Sequence, residues 1–269
     1  IKRPSEPPQT KFRCVTLFEP IQETVCNLLF PAPRLFDPMA PAVEILTLIL
    51  GSGESSRLHH RLWDVEGAAF QNWASPFLSK DPGVIMVSFS TEPDKLETAY
   101  RAACDEIFRL RLEPPTLEEI DKAKGMIEAS ELFDQETYEG RARKFGYALC
   151  LSGDPDMDEK YLEQIRTVTP EQLLYAARKY LTFTQATCGV VSPIEAKNSV
   201  STRWLRQAAL EAFSPYHEVA AQTAAPQAPA PLKVAGNYPK CKSGKRPRKI
   251  VLDNGLRLLF ACNPSTPIF

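Results

Sequence analysis

Two strand-like segments lie back to back near the start of the chain, and this pairing restricts the fold more than any other feature. Phe12–Phe18 and Glu23–Phe30 are rich in β-branched and aromatic residues and are split by Glu19-Pro20. A second such pair follows at Ala68–Ala74 and Val84–Ser90, separated by Pro76 and by Asp81-Pro-Gly83. Helical patterns are grouped between the pairs and after them. Pro31-Ala-Pro33 is expected to end the second strand, and Asp37-Pro38 to supply an N-cap with proline at the first helical position. The apolar run Val43–Leu50 then forms a helix that Gly51-Ser-Gly53 stops, and Ser55–Asp64 fits a shorter one. Thr91 opens an amphipathic helix with Leu96, Ala99, Tyr100, Ala103, Ile107 and Leu110 at helical spacing. Thr116-Leu-Glu-Glu119 and Thr169-Pro-Glu-Gln172 are capping boxes. The first begins a helix that runs, with a break, to about Cys150; the second begins one that reaches Tyr180. Between them lie a turn at Ser152-Gly-Asp-Pro155 and a short helix at Asp158–Thr167. Ala186–Val191 reads as a last strand and Ile194–Phe213 as a last helix. Strict alternation of strand and helix is absent, which argues against a doubly wound sheet. The order predicts an α+β fold: a mostly antiparallel sheet with helices packed on one face.

The pattern divides the chain. Residues 1–10 are a polar lead-in loop, 11–192 the α+β domain and 193–213 a helical extension. Residues 214–247 hold six prolines and seven alanines with little apolar periodicity, and read as a linker. Its end is basic: residues 240–249 carry six Lys or Arg and no acid. No stacking aromatics accompany that run, so a solvated linker end is favoured over a nucleic-acid patch. Lys249–Leu252 and Leu256–Ala261 flank Asp253-Asn-Gly255, a strong hairpin signal. A lone hairpin is marginal in water. Residues 248–269 are therefore expected to open a further domain, and the 248–262 hairpin to pair with its own domain or with another copy of the chain. The first residue is Ile1 rather than Met, which suggests a fragment or a processed product.

Composition narrows the function classes. Hydrophobic residues make up 43%, enough for a sizeable core, and 32 basic against 33 acidic residues give a net charge of −1. No global imbalance points to nucleic acid or an anionic membrane. No run of about eighteen apolar residues is present, so no membrane span is expected. The seven cysteines are scattered without a C-x-x-C pair, which argues against a zinc ribbon and leans towards reduced, buried thiols and a cytoplasmic setting. Cys14 and Cys26 fall on neighbouring predicted strands and could approach each other, with buried structural thiols as the default reading.

The remaining motifs read as structure. Gly51-Ser-Gly-Glu-Ser-Ser56 lacks the Lys of a phosphate cradle and follows a helix rather than a strand, so it is a helix connector. His59 and His60 are adjacent, about 100° apart on a helix, and do not share a face as zinc ligands require. Neither H-E-x-x-H nor H-x-x-E-H occurs, and His217 has no partner nearby in sequence. Asp154-Pro-Asp-Met-Asp158 lacks the bend glycine and closing Glu of a calcium loop. No self-sufficient catalytic constellation emerges.

Several segments together resemble the pitrilysin/insulysin family of zinc peptidases, the inverzincins. They are Phe30-Pro-Ala-Pro33 with Asp37, Ile49-Leu-Gly-Ser-Gly-Glu-Ser-Ser-Arg-Leu58, Leu62-Trp-Asp-Val-Glu-Gly-Ala-Ala-Phe70, Thr116-Leu-Glu-Glu-Ile-Asp-Lys-Ala-Lys124, and Val168-Thr-Pro-Glu-Gln172 with Ala177-Arg-Lys-Tyr-Leu181. Residues 11–192 are similar to the C-terminal-type domain of that family, and Leu252-Asp-Asn-Gly-Leu-Arg257 to the first hairpin of its N-terminal-type domain. The resemblance implies a mitochondrial-processing-peptidase-like metallohydrolase domain, one of four stacked around a peptide chamber. It also implies zinc in the parent protein, held by an H-x-x-E-H motif in another domain, with none bound by this chain and no catalytic residue in it. In the C-terminal-type domain that completes such a site, an Arg and a Tyr contact the substrate backbone. Aligned on Gly67, those positions are Trp63 and Phe70, and neither can stabilise an oxyanion well, since indole is a weak neutral donor and Phe has no polar atom. The resemblance therefore points to a non-catalytic, chamber-forming domain of the first half of a zinc metalloendopeptidase. Its partners would be peptide substrate and the other pitrilysin-like domains, in the cytoplasm or the periplasm. A non-enzymatic assembly protein of the same fold is the alternative.

Overall fold

The computed structural model describes residues 7–152, 157–217, 248–251 and 257–260. Contacts divide these between two units. The first holds residues 7–124 and 164–217; the second holds residues 125–163 as far as described and the two short strands near the end. The turn at 153–155, the linker beyond residue 217 and the hairpin turn at 253–255 lie outside the described residues.

The first unit is built on a five-stranded sheet of β1 (Arg13–Glu19), β2 (Thr24–Ala32), β3 (Gln71–Phe77), β4 (Gly83–Thr91) and β5 (Thr187–Pro193), in the order β1-β5-β2-β4-β3. Only β1 and β5 run parallel; the other three pairings are antiparallel. Side chains alternate across the strands, so one face carries Cys26, Leu28 and Phe30 of β2, Ile85, Val87 and Phe89 of β4, and Cys188 and Val190 of β5, all buried. Helices cover this face. α1 (Ala40–Gly51) lies against β3, and α3 (Leu96–Arg109) packs on α8 (Thr202–Phe213), which also meets β1. α7 (Pro170–Tyr180) touches α1 and β2. α1 is apolar nearly all round and is buried all round, as such a helix must be. The stripe expected on α3 is borne out: Leu96, Ala99, Tyr100, Ala103 and Ile107 are buried, as is Leu110 just past its end. Each large side chain so buried contributes about 1.5–3 kcal/mol.

The α+β expectation holds, and its edges move for physical reasons. β2 runs through Pro31 to Ala32 because the β5 ladder ends at Leu29, leaving a one-sided strand that tolerates the missing N–H. β3 starts at Gln71 rather than Ala68 and runs through Pro76 to Phe77, which an edge strand permits. Asp37 does not cap α1. Its Oδ1 accepts from the Met39 N–H at 2.8 Å in a turn, and the helix begins one turn later, with Pro41 in its first turn. Thr91 closes β4 instead of opening α3, which follows a short 3₁₀ turn at Pro93–Lys95. Ile194–Phe213 is not one helix: a 3₁₀ segment, Ile194–Asn198, precedes Ser201, whose side chain caps α8 through the Trp204 N–H. Cys14 and Cys26 are not on adjacent strands, since β5 lies between them and puts Cys188 opposite Cys14.

α4 (Leu117–Asp134) and α5 (Tyr138–Ser152) replace the interrupted helix expected to Cys150, and α6 (Met157–Thr167) follows. In the second unit, β6 (Arg248–Val251) and β7 (Arg257–Phe260) pair antiparallel with each other as a two-stranded sheet.

Candidate functional site

Trp63 and Phe70 converge on one shallow groove of about 240 Å³, lined also by Gly67, Ala68, Ala69, Glu92 and Lys95. The local sequence explains the convergence. Ser56 caps a single helical turn, Arg57–His59 (α2), with its side chain accepting from the His59 N–H. The chain then widens into a π-helix, His60–Val65, rather than continuing the α-helix expected to Asp64. The Glu66 N–H reaches back five residues to the Arg61 carbonyl at 3.1 Å. Such π segments are rare, and Leu62 stays fully buried while Trp63 beside it is 47% exposed. Gly67 then turns the chain at φ +56°, a conformation that costs other residues strain. The Ala68 N–H bonds the Leu62 carbonyl at 2.8 Å, and the Thr91 hydroxyl donates to the Ala68 carbonyl at 2.5 Å. The Phe70 N–H reaches the Ser90 carbonyl at 2.9 Å. These bonds hold Phe70, 42% exposed, across Gly67 from Trp63.

The groove is apolar with a polar rim. His59 stacks on Trp63 at 5.7 Å between ring centres, and Lys95 pairs with Glu92 at 3.3 Å while donating to the Gly67 carbonyl at 3.4 Å. It contains no nucleophile beside a base. The arrangement can hold an apolar side chain or a stretch of peptide, and its one cation, Lys95, is engaged by Glu92 and the Gly67 carbonyl. The buried charged residues among those described are Glu106 and Arg111, and neither lines the groove. Burial pushes the Glu106 carboxyl up, against the pull of Arg109 at 3.6 Å.

The histidines point to separate partners: His59 to Trp63, and His60 to Asp64 at 3.1 Å on the exposed side. Among the described residues, no three His, Cys, Asp or Glu side chains are grouped so as to hold a metal ion. The glycine loop after α1 is also explained by packing. A Cβ on Gly51 would lie 2.4 Å from the Ala74 backbone nitrogen, so α1 reaches β3 only with glycine there.

Sequence reasoning missed a second surface. The sheet face away from the helices carries Leu17, Val191 and Val25 in one row, Val15 and Trp73 at the two ends of a row with Gly189, Asn27 and Ser88 in the next, Leu29 and Met86 in a third, and Phe77, Val84 and Pro31 beyond. Leu17 is 52% and Phe77 65% exposed. The signal was present in strands apolar at both parities, such as Cys14-Val-Thr-Leu-Phe18, where a one-sided strand alternates.

Residues 1–127 match the family model described as peptidase M16 inactive domain. Over that stretch, a little under half of its length, the chain is similar to an M16 inactive domain. Among curated relatives, an uncharacterised zinc protease of Rickettsia bellii is 28% identical over 152 residues, covering 56% of this chain and 36% of the relative. One from Mycobacterium tuberculosis is 26% identical over 140 residues, covering 52% and 32%. The chain thus spans about a third of the length of these relatives. The same fold occurs in the solved M16 inactive domain from Pseudomonas fluorescens, with a TM-score of 0.63 at 21% identity over 72% of this chain and 46% of that one. A Helicobacter pylori protease gives 0.61 at 21% identity, over 70% and 46%.

Proposed function

We propose that this chain carries an M16-type inactive domain that forms a non-catalytic wall of the peptide chamber in a zinc metalloendopeptidase. The zinc and the H-x-x-E-H motif would belong to another domain of the whole protein. The sheet face carries this reading. Apolar rows left bare on a sheet face, here interrupted by Asn27 and Ser88, are what a domain shows where another domain of the same protein covers it. The span of about a third of the relatives' length supports that occupant. Trp63 and Phe70 would face the chamber and hold peptide by apolar contact, in the place where a substrate-clamping Arg and Tyr stand in catalytic assemblies. The 248–262 hairpin would begin the next domain or pair with another copy. The scattered cysteines favour the cytoplasm over the periplasm.

The test uses Leu17→Glu with Phe77→Glu, both at exposed positions that leave the core intact. The double variant is expected to fold with an unchanged circular-dichroism spectrum. It should lose at least tenfold in affinity for the separately purified H-x-x-E-H-bearing domain of the whole protein. Unchanged affinity contradicts the docking and, with it, the chamber-wall reading.

A further inference from the structure

Three cysteines that lie far apart in sequence are placed on the helix-covered face of the sheet, on three adjacent strands. Cys14 on β1 is directly opposite Cys188 on β5, and Cys26 on β2 lies diagonally across from Cys188, whose direct partner there is Leu28. Cys104 and the Tyr100 hydroxyl close the cluster from α3. Cys26, Cys104 and Cys188 are buried, while Cys14 is part-exposed on an edge strand; all four are free thiols.

Spacing separates the possible pairs. Directly opposed residues on neighbouring strands have Cα atoms about 4.8 Å apart, inside the span of roughly 4.4–6.8 Å that a disulfide bridges. Diagonal neighbours are about 7–8 Å apart, beyond it. We propose that Cys14 and Cys188 are a disulfide-forming site that fastens the edge strand β1 to β5, and that Cys26 and Cys104 stay reduced beside it. The oxidant is a low-molecular-weight disulfide. The Cys14 thiolate, the accessible one, attacks a sulfur of the small disulfide, releasing one small thiol and leaving a mixed disulfide. The Cys188 thiolate then attacks the Cys14 sulfur and expels the second small thiol. The protein gives up two electrons and two protons, and the small disulfide takes them up as two thiols. Contact with Cys188, then burial, keeps the Cys14 thiol protonated far above the ordinary thiol range, so the exchange is slow and is read at equilibrium.

The bond would act where the sheet is weakest. β1 has a neighbour on one side only, and its pairing with β5 spans nearly the whole domain in sequence. Closing so long a loop restricts the unfolded chain strongly.

The experiment incubates the folded chain with oxidised glutathione to equilibrium, alkylates the remaining thiols and maps the digest by mass spectrometry. The expected product has lost two hydrogens and links Cys14 to Cys188, in the natural chain and in Cys26→Ser alike. Its thermal midpoint should exceed that of the reduced chain by roughly 5 °C or more. Cys14→Ser, at a part-exposed edge position that keeps the fold, should abolish the link. A Cys188–Cys26 link, links between chains, glutathione retained on Cys14, or both thiols fully alkylated would overturn the proposal.

Discussion

Arg111 is 3% exposed and, among the described residues, has no carboxylate partner within hydrogen-bond reach. Its guanidinium donates instead to the carbonyls of Arg178 at 2.7 Å, Leu181 at 3.1 Å and Tyr216 at 3.4 Å, and lies 5.1 Å over the Phe213 ring. Burial, with the nearby Arg178, lowers its pKa. It therefore satisfies the carbonyls that the end of α7 leaves open, which a compact ammonium would do only in part. Arg111→Met keeps the apolar stem and removes the donors. It should cost about 2–4 kcal/mol in chemical denaturation, with Arg111→Lys recovering only part of the loss; a cost below about 1 kcal/mol would show that water replaces the guanidinium there. At this scale the sequence was uneven. Gly67 made Trp63 and Phe70 legible as a spaced pair, because a turn glycine is a fixed reference. Nothing in the local sequence distinguishes Arg111 from the half-buried Arg109 that ends α3, since they lie two residues apart and burial is decided by α7 and α8.

Arg57 and Glu119 tie the start of α2 to the start of α4. The guanidinium forks onto the carboxylate at 2.7 and 2.9 Å, and the same carboxylate accepts from the Thr116 N–H at 2.7 Å. Burial works to raise the Glu119 pKa, but the bonds from Arg57 and Thr116 outweigh it and hold the carboxyl below its ordinary value. A carboxyl depressed in the folded state adds stability above its unfolded pKa, about 4.3, and loses it as pH falls through the lower folded value. Glu119→Gln keeps the capping shape and removes the charge. It should destabilise by about 1 kcal/mol at neutral pH, and the gap to the natural chain should close below about pH 4. An equal gap at pH 3 and pH 7 in urea titrations would assign the effect to shape instead. Both capping boxes were legible because a cap is a local motif, and the Thr169–Gln172 box forms with both of its bonds. The π-helix and the break before Ser201 were not, because each depends on what the segment packs against. The shift of β3 has the same origin: only its position at the sheet edge makes room for Pro76.

At the scale of the whole molecule, the fold class was readable from the grouping of strands and helices, but the strand order was not. The β3–β4 pairing joins neighbours in sequence, whereas β1 pairs with the last strand of the sheet across the entire domain. No local pattern specifies so distant a parallel contact. That unread contact is what places Cys188 beside Cys14 and completes the bare apolar face on the other side. Function follows the same division. The groove at Trp63 and Phe70 offers only Glu92 and Lys95 as titratable groups, and they are paired with each other at 3.3 Å. The most direct test measures zinc content and chelator-sensitive peptide cleavage on this chain and on the whole protein side by side. The account predicts a metal-free, inactive chain beside a zinc-loaded protein whose cleavage a chelator abolishes. Stoichiometric zinc or cleavage by this chain alone, or a whole protein lacking both, would contradict it.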